Sequence, residues 1–208
     1  MDTTIIFFVG LLFAMIGIIP PGLLNISAAK ISLKEGHARG VYFSIGACII
    51  VIIQTSIAAF FAKYLTSHPE VIAILKKVAL IIFTLIAVYY FFIAKEPSAK
   101  SFTPNIKSKH HRFFHGMLLS LLNVFPLPFQ AYMVTTLATY GLLSFEKYEI
   151  IAYISGVTMG SFVMLYMYMF FFEKLKDNAV VNPKNMNFII GGVTALVSVF
   201  TLLSFFSD

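Results

Sequence analysis

The residues able to do chemistry are few, and they cluster beside prolines. Pro20, Pro21 and Gly22 are followed by Asn25 and Ser27, and Asn123 precedes Pro126, Pro128 and Gln130. Proline lacks a backbone N–H and clashes with the carbonyl four residues earlier, so a helix through either cluster is interrupted. Each interruption creates two half-helix ends. An N-terminal end favours a carboxylate and a C-terminal end favours a cation or ammonium; an amino acid carries both groups. Pro20, Pro21, Gly22, Asn25, Asn123, Pro126, Pro128 and Gln130 are therefore the candidate lining of a small-molecule site. Gln54, a lone amide in a separate apolar stretch, joins them as a neutral hydrogen-bonding partner where an acidic group could otherwise stand. The hydroxyls Thr55, Ser56, Thr158 and Ser161 are read as links between helices.

Other chemistries find little support. His110, His111 and His115 invite a metal test, because His111 and His115 are four apart and share a helix face. A zinc site needs three or four protein ligands, and this cluster lies in a basic segment with neither carboxylate nor thiol close by. No metal is expected there, and the surrounding lysines read as a strip for lipid headgroups. There is no H-E-x-x-H, no G-x-x-x-x-G-K-[ST] and no internal disulfide, since Cys48 is the single cysteine. Neither an enzyme nor a cofactor nor a nucleic-acid partner is expected.

The elements that must position these residues follow from composition. Hydrophobic residues make up 59% of the 208 and charged residues 12%, against about 45–50% and about 25% in soluble domains. Such a chain cannot hide its apolar surface in one water-soluble core. Six windows carry no Asp, Glu, Lys or Arg: 3–29, 40–62, 78–94, 116–145, 150–172 and 185–207. A crossing helix needs about 20 apolar residues. The third window is short, but residues 71–75 precede it, and Lys76 and Lys77 can snorkel. The runs are continuous, not alternating, which excludes barrel strands. The first lacks the positive flank of a signal peptide.

With six spans, the first, third and fifth loops hold eleven Lys and Arg and the opposite face four. The positive-inside bias places the eleven-charge face in the cytoplasm and both termini outside, in a cell inner membrane. Windows one and four are long and proline-interrupted. Windows two and five open with glycines, Gly40 and Gly46 in one, Gly156 and Gly160 in the other. Two three-span halves of opposite orientation follow, which is an inverted repeat: about 1–94, a cytoplasmic linker of about 95–112, and about 113–208, all one membrane domain. Gly36, Gly40, Gly46, Gly156 and Gly160 are read as packing or hinge positions. Lys30 is read as a snorkelling charge near the first break.

The stretch Pro21-Gly22-x9-Ser32-Leu33-x2-Gly36-x3-Gly40-x5-Gly46 resembles the LysE/RhtB family of amino-acid exporters, and Phe113-x2-Gly116-x-Leu118-Leu119-x-Leu121-Leu122-Asn123 is similar to that family's fourth-helix segment. The resemblance implies export of a small amino acid by alternating access. Some members carry an acidic residue inside the membrane, and no window here does, which favours neutral over basic substrates. Leu23 follows Gly22 where the family often has proline, and Val124 follows Asn123 where it has proline. The alternatives are a divalent metal-cation exporter of related architecture and a non-transport scaffold. The expected partners are the lipid bilayer and a small molecule, with a homo-oligomer left open.

Overall fold

In hydrocarbon, helices gain little by burying large apolar side chains, because lipid is equally apolar; small residues that let backbones approach are what bring them together. The computed structural model follows that rule. It describes residues 2–19, 22–89, 92, 107–175, 195 and 199. Among these the secondary structure is helical, with no strand: α1 (Thr3–Ile18), α2 (Leu23–Glu35), α3 (His37–Thr66), α4 (Pro69–Val88), α5 (Lys109–Leu122), α6 (Pro126–Thr139) and α7 (Lys147–Leu175). On α1 the buried stripe is Ile6, Gly10 and Ala14, while Ile5, Phe8, Leu12 and Ile16 are exposed. On α3 the buried face is mostly small or polar, from Gly40 through Ser44, Ala47 and Thr55 to Ala62, and Ile45, Ile52, Ile53, Ile57 and Phe60 point out.

α3 and α7 are each long and apolar enough to cross a membrane alone. Two bent pairs are long and apolar enough together, as a broken span or a re-entrant loop: α1 with α2, their axes 83° apart, and α5 with α6, 64° apart. The described residues thus hold two to four candidate spans. Local chemistry sets the ends. Asp2 accepts from Thr4 N–H (2.9 Å) to cap α1, and Ser108 accepts from His111 N–H (3.2 Å) to cap α5. Pro126 occupies the first position of α6. In the first turn of α7, the Glu149 carboxylate accepts from Ser144 N–H (2.6 Å) and Oγ–H (2.9 Å). Gly36 turns α2 into α3 with φ +99°, a conformation that favours glycine. Pro20 and Pro21, most of the 95–112 linker and nearly all of the sixth window lie outside the described residues; α5 already begins at Lys109, inside the segment read as linker.

The chain divides into two compact units, residues 1–67 with 103–173, and residues 68–102 with 174–208. The second is described mainly along α4, which starts ahead of the third window and includes Lys76 and Lys77. The first holds every candidate site residue within the described part. Its backbone crossings come in two matched pairs. A Cβ on Gly46 of α3 would strike the Phe113 carbonyl of α5, and one on Gly116 of α5 would strike the Phe43 carbonyl of α3. A Cβ on Gly10 of α1 would lie 2.7 Å from the Tyr153 carbonyl of α7, and Cβ atoms on Gly156 and Gly160 would strike the Phe7 and Leu11 carbonyls of α1. Gly40 is equally enclosed, its Cβ position 2.9 Å from Ser32 Cβ. Of the expected packing positions, Gly40, Gly46, Gly156 and Gly160 therefore sit at helix contacts, and Gly36 at a turn.

Replacing Gly46 or Gly116 by alanine forces α3 and α5 apart, and the expected loss is about 1–3 kcal/mol. Thermal unfolding in detergent reads it, with the lipid-facing Ile53→Ala expected to stay within about 0.5 kcal/mol.

Candidate functional site

A helix that stops inside a membrane leaves carbonyls without intrahelical partners, and each must find a donor. At the first break, Asn25 of α2 donates its side-chain N–H to the Ile18 carbonyl (2.9 Å), and the Tyr168 hydroxyl of α7 donates to the Ile19 carbonyl (2.5 Å) while also meeting the Asn25 side chain. At the second break, Gln54 of α3 donates its Nε2 to the carbonyls of Ser120 (3.2 Å) and Asn123 (3.0 Å) at the end of α5. Asn25 and Gln54 are 5% and 4% exposed. Asn123 enters through its backbone oxygen, at the C-cap of α5. Gln130 lies buried on α6, where its Oε1 accepts from the Tyr153 hydroxyl (2.6 Å).

The two breaks differ in what they offer. The first turn of α2 follows Gly22, and among the described residues no side chain caps it, so its N–H groups form a positive end. The first turn of α6 has prolines at Pro126 and Pro128, which carry no N–H, and its next donors are used within the turn, Leu127 N–H to Val124 O (3.2 Å) and Phe129 N–H to Phe125 O (3.3 Å). The second break is accordingly dominated by acceptors, the carbonyl end of α5. Gln54 Oε1 and Thr55 Oγ1 are buried and have no hydrogen-bond partner among the described residues. An unpaired buried polar group costs about 1–3 kcal/mol. Several helix hydroxyls among the described residues bond the carbonyl four residues back, as Ser44, Ser56, Thr135 and Thr158 do; Thr55 does not.

At the basic end of the unit, a feature missing from the sequence reading ties α2 to α5. Arg112 pairs with Glu35 through two hydrogen bonds, Nε to Oε2 (2.8 Å) and Nη2 to Oε1, with both side chains under a tenth exposed. The Lys107 N–H adds a weak bond to Oε2 (3.4 Å). Arg39 spans from the Glu35 carbonyl (2.7 Å) to the Lys107 carbonyl (2.8 Å). Burial works against the Glu35 charge, but the Arg112 hydrogen bonds and positive charge outweigh it and hold the carboxyl below its ordinary value. His115 lies against Arg112 (Nδ1 to Nη1, 3.1 Å) and edge-on to Phe43. Among the described residues no group of three or more His, Cys, Asp and Glu is placed to hold a metal ion.

Residues 15–205 match the family described as LysE type translocator. The chain belongs to the LysE type translocator family. It is a multi-pass helical membrane protein of a transporter family, as the resemblance in both halves implied. Comparison with curated proteins and with solved structures gives no match. In this translocator Asn25 and Gln130 lie on α2 and α6, and side chains of α3 and α7 reach across to the carbonyl ends of α5 and α1. Sequence spacing named Asn25, Gln54, Asn123 and Gln130 as candidate site residues, and in the structure each takes part in a hydrogen bond to another helix. It did not find Tyr153, Tyr168 or the Glu35–Arg112 pair, though one signal was available: Glu35 is the lone acid in the basic segment between the first two windows. Pro20 and Pro21 lie outside the described residues.

Glu35→Gln removes the partner of a buried cation, and a loss of about 3–5 kcal/mol is expected. Because the folded carboxyl titrates below its unfolded value near 4.5, its contribution is complete above that pH and disappears as the pH falls through the folded value. Unfolding midpoints measured from pH 7 to pH 3 should fall in the acid range for the wild type, with that component absent in Glu35→Gln.

Proposed function

We propose that the protein is a secondary exporter of a small, neutral amino acid or derivative, working by alternating access between two inverted three-span repeats. The observation that carries the reading is the matched pattern of the two breaks. α1 ends where a side chain of α7 caps it, and those two helices cross at Gly10 and Gly156. α5 ends where a side chain of α3 caps it, and those two cross at Gly46 and Gly116. That pattern supports an inverted repeat, in which the first span of each half would lie on the second span of the other.

The half-helix ends give a division of labour. The uncapped first turn of α2 at Gly22 suits a substrate carboxylate, with Asn25 beside it, and the carbonyl end of α5 at Asn123 suits an ammonium. Pro126 and Pro128 reinforce that polarity by removing competing donors. Gln130, held by Tyr153, fixes α6. The absence of Asp and Glu from the apolar windows favours a neutral side chain. The Glu35–Arg112 pair closes the basic end between the two broken spans and must part for that end to open. By charge bias the basic end faces the cytoplasm, with both termini outside an inner membrane. The gradient of protons or electrical potential supplies the energy.

Proteoliposomes preloaded with labelled neutral and basic amino acids test the proposal. Gradient-dependent efflux of at least one neutral amino acid is expected, reduced at least tenfold in Asn25→Ala. Failure to move any member of a broad panel sinks the amino-acid reading.

A further inference from the structure

Two buried polar atoms of α3, on Gln54 and its neighbour Thr55, lack partners among the described residues. Gln54 directs Nε2 at the Ser120 and Asn123 carbonyls. Those two oxygens can only accept, so the amide cannot turn over, and Oε1 is fixed as an acceptor on its other side. That oxygen is buried with no partner among the described residues, as is the hydroxyl of the neighbouring Thr55, which is fully buried. Both sit on the second uncharged window three to four residues past its midpoint, roughly 5 Å from the middle of the span. The local field has one sign: the carbonyl end of α5 is negative, and α6 opposes it weakly because Pro126 and Pro128 contribute no N–H. No Lys or Arg lies in the surrounding windows 40–62 and 116–145 to neutralise it.

We infer that Gln54 Oε1, the Thr55 hydroxyl and the α5 carbonyl end form a binding subsite for a small monovalent cation that donates or substitutes for hydrogen bonds. An ammonium group supplies three donors to such an acceptor cluster, and a bare sodium ion supplies charge to the same oxygens. An ammonium would come from the substrate, and sodium would come from a coupling gradient. The cation site deepens the export reading where its ligand is substrate ammonium, and its chemistry stands apart from that reading where the ligand is an ion.

The test is ligand-dependent thermal stabilisation of the full-length protein in detergent, which reports binding without transport. The probes are methylammonium chloride, sodium chloride, L-alanine and propionate, with choline chloride holding ionic strength constant. Stabilisation by methylammonium and L-alanine but not propionate supports the site with substrate as the source. Stabilisation by sodium alone supports it with the coupling ion as the source. No stabilisation by either cation overturns it. Gln54→Leu should weaken the effective probe at least tenfold, and an unchanged response overturns the assignment to Gln54. Because Gln54→Leu also uncaps α5, Thr55→Val is the second variant, since it leaves both Gln54 bonds to the α5 carbonyls in place. It should weaken binding of the same cation at least tenfold, and unchanged binding overturns the proposal. Proteoliposomes that export no amino acid while methylammonium or sodium still binds through Gln54 would end the export reading and leave the cation site standing.

Discussion

Backbone polar groups cannot be left bare in hydrocarbon, and the architecture around both breaks answers to that constraint. Each interrupted span needs a donor from another helix at its carbonyl end. α7 brings Tyr168 to the end of α1, and α3 brings Gln54 to the end of α5. To deliver a side chain there, the long helix must lie close along the broken one, and the glycine crossings make that approach sterically available. Capping and close packing are thus two aspects of one requirement. Side chains that look like site residues also act as structural members, and a transported molecule must compete with or complement bonds already made.

The two breaks are alike in position but unlike in chemistry. Both follow a helix of 14 to 16 residues and precede one of 13 or 14. At the first, an uncapped helix start is exposed next to Asn25. At the second, prolines inside the opening turn of α6 remove the corresponding donors. A zwitterion, with one pole of each sign, matches a pair of unlike ends better than a pair of like ends. The charged contact at the far end of the molecule, Glu35 with Arg112, obeys different physics. It is a buried ion pair whose separation exposes both charges, so it resists opening until water or another partner replaces it.

Much of this was legible in the sequence because the membrane simplifies the code. Charge-free windows point to spans, of which two to four candidates lie among the described residues, and the prolines at 126 and 128 fall where α5 gives way to α6. Asn25, Gln54 and Gln130 stood out because amides in apolar runs need partners. What those partners would be was not legible. Gln54 meets Asn123 across 69 residues and Arg112 meets Glu35 across 77, and no local pattern encodes such pairings. Tyr153 and Tyr168 were hidden for a different reason: in a phenylalanine- and tyrosine-rich chain, an aromatic ring carries no signal that its hydroxyl is engaged. The helix ends also shifted, since α2 runs on to Glu35 and α5 starts at Lys109, because capping by Gly36 and Ser108 decides ends that charge alone does not.

The reciprocal glycine contacts have a consequence for how the molecule comes apart. α1 is braced by α7 and α5 by α3, so each tight seam joins the front of the chain to its back. A polypeptide severed in the segment between α4 and α5 would yield two fragments, each holding one member of both seams and neither seam whole. Neither fragment could bury its own glycine stripes; the two would have to meet in the bilayer to complete them, much as strands of a zip close only against each other.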